Sequence, residues 1–235
     1  MPNFIGLSLR AGSITLAAVI LIATGLSASA QSAAPAPALQ PITLPAPQIT
    51  GGMPLMQALA NRKTTRTFAA DKALSTQQIS NLLWAAFGVN RPSMVNPSHT
   101  APAGTSTPPT PGRTAPSGQN KQDIRLYVVL AQGAYLYDPM KNQLLPVASG
   151  DLRTKIGAGA AAHAAATIVF VAPVRDDPFS QVDTGFIGQN IYLYAASEGI
   201  NAWFYAFHNQ DVAGALNLGA DMAPTYGESV GYPEQ

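Results

Sequence analysis

Residues 183–199 form the stretch that most limits how this chain can fold. Phe186, Ile187, Ile191, Leu193, Tyr194 and Ala195 spread apolar surface over much of a helical circumference, and Gly199 supplies the stop. A helix that is greasy on most sides has to be covered on most sides, which calls for a layered fold with this helix deep inside. The chain can provide that cover. It has 235 residues, 47% of them hydrophobic and 11% charged, enough for one domain with appendages. Residues 167–172 are a continuous apolar run that reads as a central strand.

Several chemistries are excluded at once. There is no cysteine, so disulfides, thiolate metal sites and Cys nucleophiles are impossible. His99, His163 and His208 are scattered, no pair sits at metal-ligand spacing, and none reads as a ligand. The formal net charge is +1, from 13 cations and 12 anions, and loss of Arg10 with a leader would bring it to 0. A nucleic-acid partner would need a basic face that this balance does not supply.

The two ends of the region before Pro54 differ in character. Residues 1–30 read as a secretory signal peptide: Arg10 precedes an apolar run, and Ala28-Ser29-Ala30 gives the small-x-small cleavage pattern. The apolar run is short for a membrane span, so the expected address is periplasmic or secreted, with no membrane role beyond export. Residues 31–52 are an uncharged Ala/Pro-rich linker with five prolines between 35 and 47, expected to be extended and little packed. The folded domain is expected over residues 53–235.

Within that domain, residues 53–62 suggest a short helix. Ser75 and Gln78 have capping-box form ahead of an apolar stripe at Ile79, Leu82, Leu83, Ala86 and Phe87, closed by Gly88. Trp84 belongs to that helix as a core residue or as one that faces a partner subunit. Residues 91–112 are a long Pro/Ser/Thr loop, a lid or a disordered segment. Strands are expected at 124–131, 134–137 and 144–147, with short helices at 151–156 and 212–216, the second capped by Asn209. An aromatic extended segment covers 201–207 and a last short strand covers 228–232.

Two polar stretches interrupt this pattern. Residues 62–67 hold Arg62, Lys63 and Arg66 among Thr64, Thr65 and Thr67. Guanidinium forks and hydroxyls suit a phosphate, although cations also finish helices by matching the macrodipole. Residues 116–122, Pro-Ser-Gly-Gln-Asn-Lys-Gln, suit an ordinary turn or a polar edge contact. Ser117 lacks a Gly-x-Ser-x-Gly elbow, which counts against a serine hydrolase. Arg113, just before, reads chiefly as a solvated loop cation.

Taken in order, Arg-x-Thr-x-Arg at 62–66, Pro-Ser-x-x-Asn-x-Gln at 116–122, and a long buried helix leading through Glu198-Gly199-Ile200 to Gly231-Tyr232-Pro233 resemble the FMN-dependent nitroreductase family. Leu-Leu-Trp-Ala-Ala-Phe-Gly at 82–88 and Arg-Thr-Ala-Pro-Ser at 113–117 are similar to wording in its SagB-type dehydrogenase branch. The resemblance covers roughly residues 53–233. It implies an α+β three-layer sandwich, with a mainly antiparallel central sheet flanked by helices, in an intertwined homodimer with FMN at the interface. It implies that Arg62, Thr64 and Arg66, with Lys63 beside them, hold the phosphate and ribityl oxygens. Pro116, Ser117, Asn120 and Gln122 would approach the flavin from the other subunit, and backbone N–H groups near Tyr205, Ala206 and Phe207 would lie near N5.

The implied activity is two-electron transfer to or from a small organic substrate, with no side chain nominated as catalytic because the cofactor carries the chemistry. NAD(P)H is one possible donor, but an exported protein would not meet a ready supply of it. The family's C-terminal basic pair has no counterpart here, since no Lys or Arg follows Arg175. Arg113 is a possible substitute, and a non-catalytic flavin-binding or partner-binding protein is the alternative function.

Overall fold

The computed structural model describes residues 38–70, 72–92, 110–157, 159–175, 178–208 and 211–234. The expected signal peptide, the start of the linker, most of the 91–112 loop and Asn209 lie outside the described residues. In chain order the elements are β1 (Ile42–Thr43), α1 (Leu55–Asn61), α2 (Thr76–Phe87), β2 (Val89–Arg91), β3 (Gly112–Arg113), β4 (Arg125–Leu130), β5 (Gly133–Asp138), β6 (Gln143–Ser149), α3 (Arg153–Ile156), β7 (Ala166–Pro173), α4 (Phe179–Glu198), β8 (Asn201–Tyr205), α5 (Val212–Ala215) and β9 (Met222–Gly231). Short 3-10 turns cover Gly118–Asn120 and Gly159–His163.

Seven strands form one sheet in the order β1-β6-β5-β4-β7-β9-β8, and every pairing is antiparallel. Strand periodicity divides the core into two layers. Leu126, Val128 and Leu130 of β4 point to one face, with Ile168 and Phe170 of β7, where α2 and α4 cover them. Tyr127, Val129, Val169 and Val171 point to the other face, covered by Leu152 and Ile156 around α3 and by Val212 and Leu216 around α5. The expected α+β three-layer sandwich is what the chain forms. β7, covered on both faces and flanked by β4 and β9, is buried from Ala166 to Ala172, which is why its sequence is apolar without alternation.

Helix α2 starts where the sequence places it. The Ser75 hydroxyl accepts from the Gln78 N–H, and the Gln78 side chain accepts from the Ser75 N–H, a complete capping box. Its Leu82 and Leu83 are fully buried, each contributing about 2 kcal/mol of apolar transfer energy. Trp84 is half-buried, and its indole N–H donates to the Val89 carbonyl at 3.1 Å.

Three expectations need correction. The folded region begins before Pro54, because Ile42 and Thr43 pair with Leu144 and Gln143, and Leu44 is 5% exposed. An extended Pro-punctuated chain with alternate apolar residues can also be an edge strand, and here it is one. The last strand is ten residues long, because Pro224 sits at a register shift against β7, where a bulge tolerates a missing N–H. The N-cap of α5 is Asp211, whose carboxylate accepts from the Gly214 N–H at 2.9 Å.

Helix α4 differs from expectation in a more telling way. Ser180, Asp183, Thr184, Ile187, Gly188, Ile191 and Ala195 form one buried stripe at helical spacing. Val182 and Phe186, on the remaining face, are 49% and 44% exposed. The chain therefore leaves one face of the first half of this helix uncovered. Among the described residues no helix is long and apolar enough to cross a membrane.

Candidate flavin site

The basic stretch leaves α1 at Arg62, the C-cap, and continues as extended chain beside the sheet. Thr65 N–H donates to the Ala202 carbonyl at 2.9 Å, Asn201 Nδ2 donates to the Thr67 carbonyl at 2.7 Å, and Ala69 N–H donates to the Tyr232 carbonyl at 2.9 Å. Phe68, 2% exposed, anchors the segment in the core. The stretch is thus strapped along β8, the sheet's edge strand, and is more than the end of a helix.

Its polar side chains are organised by aromatic rings. The Arg62 guanidinium carbon lies 5.3 Å from the centre of the Tyr192 ring, and that of Arg66 lies 5.5 Å from Trp203. Thr64 Oγ1 and the Tyr192 hydroxyl are hydrogen-bonded at 2.9 Å. A planar guanidinium on a ring face loses orientational freedom while its N–H edge still points outward. Lys63 and Thr65 line a cleft of about 380 Å³ together with Tyr192, Asn201 and Gly199.

At the end of β8 and just beyond it come the residues expected near the ring. Tyr205 and Phe207 meet edge to face at 5.7 Å, and Tyr205 also packs against Trp203 at 4.9 Å. Gly227 makes room for them, since a Cβ there would lie 2.8 Å from the Phe207 ring. The Tyr205 hydroxyl bonds to Ser229 at 3.1 Å, and burial pushes its pKa up. Ala206 is exposed.

The second motif is gathered around a residue that the sequence reading assigned only to a helix start. The carboxylate of Asp183, 1% exposed, accepts from the Ser117 hydroxyl at 2.9 Å and from the Gly118 N–H at 2.9 Å. Ser117 Oγ in turn accepts from Gln122 N–H at 2.8 Å. The Gln122 amide donates to the Pro111 carbonyl and to Asn120 Oδ1 and accepts from Arg113 Nε, so it is fully occupied and serves as a brace of the turn. Pro116 is exposed at the turn's tip. Gln119, Asn120 and Gln122 all have φ of 53°, a concentration of left-handed non-glycine backbone that the surrounding bonds must hold in place. Gly118 has no room for a side chain: a Cβ would lie 2.3 Å from the Phe179 ring.

Arg113 is not a solvated loop cation. It lies 5.2 Å over the Phe87 ring, its Nη1 is buried without a hydrogen-bond partner, and desolvation lowers its pKa. The Ser117 hydroxyl, committed to Asp183 and Gln122, is no poised nucleophile. A third buried group was missed by sequence reasoning. Glu228 of β9 is fully buried beside Gly188 and Phe204, neither carboxyl oxygen has a partner, and burial raises its pKa well above the ordinary range.

The two motifs do not converge within one chain. Asp183 and Tyr192, which hold them, stand about 14 Å apart along α4 at 1.5 Å per residue. The family model for the nitroreductase family matches residues 59–232. A protein described as a nitroreductase from Ralstonia eutropha JMP134 is 35% identical with a TM-score of 0.70, over 83% of this chain and 90% of that one.

This chain belongs to the nitroreductase family.

It is accordingly a nitroreductase-family oxidoreductase. The microcin synthetase McbBCD complex of E. coli shares the fold at 18% identity and a TM-score of 0.58, over 94% of this chain and 85% of that one. So does a nitroreductase of Desulfovibrio desulfuricans crystallised with FMN, at 20% identity and a TM-score of 0.52, over 79% and 89%. A comparison with curated proteins finds no match. Nitroreductase-family proteins typically bind FMN, and the donor set along residues 62–66, two guanidiniums, an ammonium and hydroxyls beside a cleft, fits a phosphorylated flavin chemically.

Proposed function

We propose that this nitroreductase-family chain is an exported, homodimeric, FMN-dependent oxidoreductase acting on a small organic substrate. One observation carries the proposal: Arg62, Thr64 and Arg66 are held on Tyr192 and Trp203 along β8, the strand that leads into Tyr205, Ala206 and Phe207. Bound FMN supplies two-electron transfer through its N5.

The chain's own groups hold and orient. Arg62, Arg66, Lys63 and Thr64 grip the phosphate. Main-chain N–H groups of residues 205–207 meet the ring. The Pro116-Ser117 turn, with the Asn120 side chain, closes on the ring of the other subunit, kept in shape by Asp183 and Gln122. The exposed Val182 and Phe186 of α4, with open space around Gly185, favour a second copy of this chain as the missing cover. Placement nearest the SagB-type dehydrogenases rests on the sequence wording at 82–88 and 113–117.

The test is a visible absorption spectrum of the mature protein before and after adding FMN, with Arg62→Ala alongside. Turnover of a quinone or a nitro compound then follows, with NADH, NADPH and a reduced carrier offered in turn. Protein that takes up no FMN overturns the proposal. A second reading is a non-catalytic flavin-binding or partner-binding member of the same fold. That reading expects bound FMN that no donor reduces.

A further inference from the structure

We infer that Tyr192 is a positioning residue that sets the phosphate grip and ties it to the flavin-facing end of β8, an inference that rests on FMN binding at residues 62–66. Tyr192 sits on α4, and three contacts meet on its one side chain. Its ring lies under Arg62 at 5.3 Å. Its hydroxyl accepts from the Phe204 N–H at 2.9 Å. The same hydroxyl bonds to Thr64 Oγ1 at 2.9 Å.

The location explains why a tyrosine is needed there. β8 ends the sheet and pairs on one side only, with β9. Its outward N–H groups need partners that the ladder does not give. Tyr192 satisfies the one at Phe204, one residue before Tyr205. A phenylalanine at 192 would fill nearly the same space and leave that N–H bare.

The hydrogen-bond order then has a direction. A tyrosine hydroxyl that accepts from Phe204 still has its own proton to give, and Thr64 Oγ1, 2.9 Å away, is the partner we assign to it. Thr64 is left with its proton to donate outward, toward a phosphate oxygen. The chain Phe204 N–H to Tyr192 O–H to Thr64 O–H is polarised in one sense, which strengthens each link. The same ring lies under the Arg62 guanidinium, so two members of the grip are preset by one residue that also bonds the strand next to Tyr205.

The prediction separates phosphate from ring. FMN and riboflavin share the isoalloxazine and differ in the phosphate, so dissociation constants for both, from quenching of flavin fluorescence, report the two ends independently. Tyr192→Phe keeps the ring beneath Arg62 and removes the hydroxyl. It should weaken FMN about fivefold, the worth of a single net hydrogen bond, and weaken riboflavin by clearly less. Tyr192→Leu removes ring and hydroxyl together and should weaken FMN further.

Equal weakening of both ligands, or no change in either, overturns the role of Tyr192 while leaving FMN binding intact. Wild-type protein that binds neither ligand removes both the role and the proposed function. Thr64→Val probes the same relay from outside α4 and guards against misfolding of the Tyr192 variants. It should reproduce the selective loss of FMN, and an unchanged FMN constant in that variant overturns the inference.

Discussion

The Ser117 hydroxyl donates to the Asp183 carboxylate across 2.9 Å, pinning the 116–122 turn to the first half of α4. Asp183 also takes the Gly118 N–H, so one buried carboxylate compensates two donors. Its removal leaves them bare. Asp183→Ala should cost about 2–4 kcal/mol of stability, from charge-assisted bonds lost and donors left unpaired. Urea unfolding measures this. Because the turn also carries three residues at φ of 53°, flavin affinity should fall with it at temperatures where the variant is still folded.

Glu228 gives the protein a pH dependence of definite sign. In the folded chain burial raises its pKa, so it keeps its proton at pH values where the unfolded chain has released it. Below the ordinary carboxyl value of about 4.3 both states are protonated and nothing is lost. Above it stability falls as pH rises, by at most about 1.4 kcal/mol per unit, until the folded carboxyl ionises too. Asp151, lowered by its hydrogen bond to Arg153, acts in the opposite sense and only at acidic pH. Urea midpoints at pH 5 and pH 8 should therefore differ more for wild type than for Glu228→Gln, and an identical difference in the two proteins would contradict this.

The half-exposed face of α4 makes a prediction about assembly. Phe186→Asp should convert a dimer to a monomer in sedimentation while the far-ultraviolet spectrum is retained. Gly185→Leu should do the same by filling the open space next to it. Wild-type protein that sediments as a monomer refutes the proposed assembly.

Leu44→Ala tests where the folded region starts. Leu44 is 5% exposed among Ile79, Leu144 and their neighbours, so truncation should cost about 2–4 kcal/mol. A side chain in a loose tether would change the unfolding midpoint hardly at all.

The sequence was most legible where local rules and tertiary packing agree. The Ser75–Gln78 capping box, the α2 stripe and the apolar β7 all follow from spacing alone. It was least legible where tertiary partners override a local signal. Pro224 looks like the end of a strand until a bulge absorbs it, and residues 42–44 look like linker until β6 lies beside them. The phosphate-type motif at 62–66 could be read from residue types, but its aromatic supports could not, because Tyr192 lies 130 residues beyond Arg62 and nothing in its own neighbourhood marks it. Asp183 and Glu228 did carry a signal: each is an acid within an apolar pattern. Phe186 misled in the opposite direction, since a sequence gives total apolar surface without saying how much of it the fold covers.

The strand order has a consequence for synthesis. β8 has no neighbour in the sheet except β9, which follows it in the chain and lies between it and β7. On a ribosome, β8 and the residue 62–67 strap beside it must wait, unpaired, until residue 231 has emerged. The half of the molecule built on β4, β5, β6 and β7 can assemble before then. The end proposed to hold the cofactor is therefore the last part to acquire its shape, and a nascent chain stalled before β9 should hold a core but leave the residue 62–67 strap unformed.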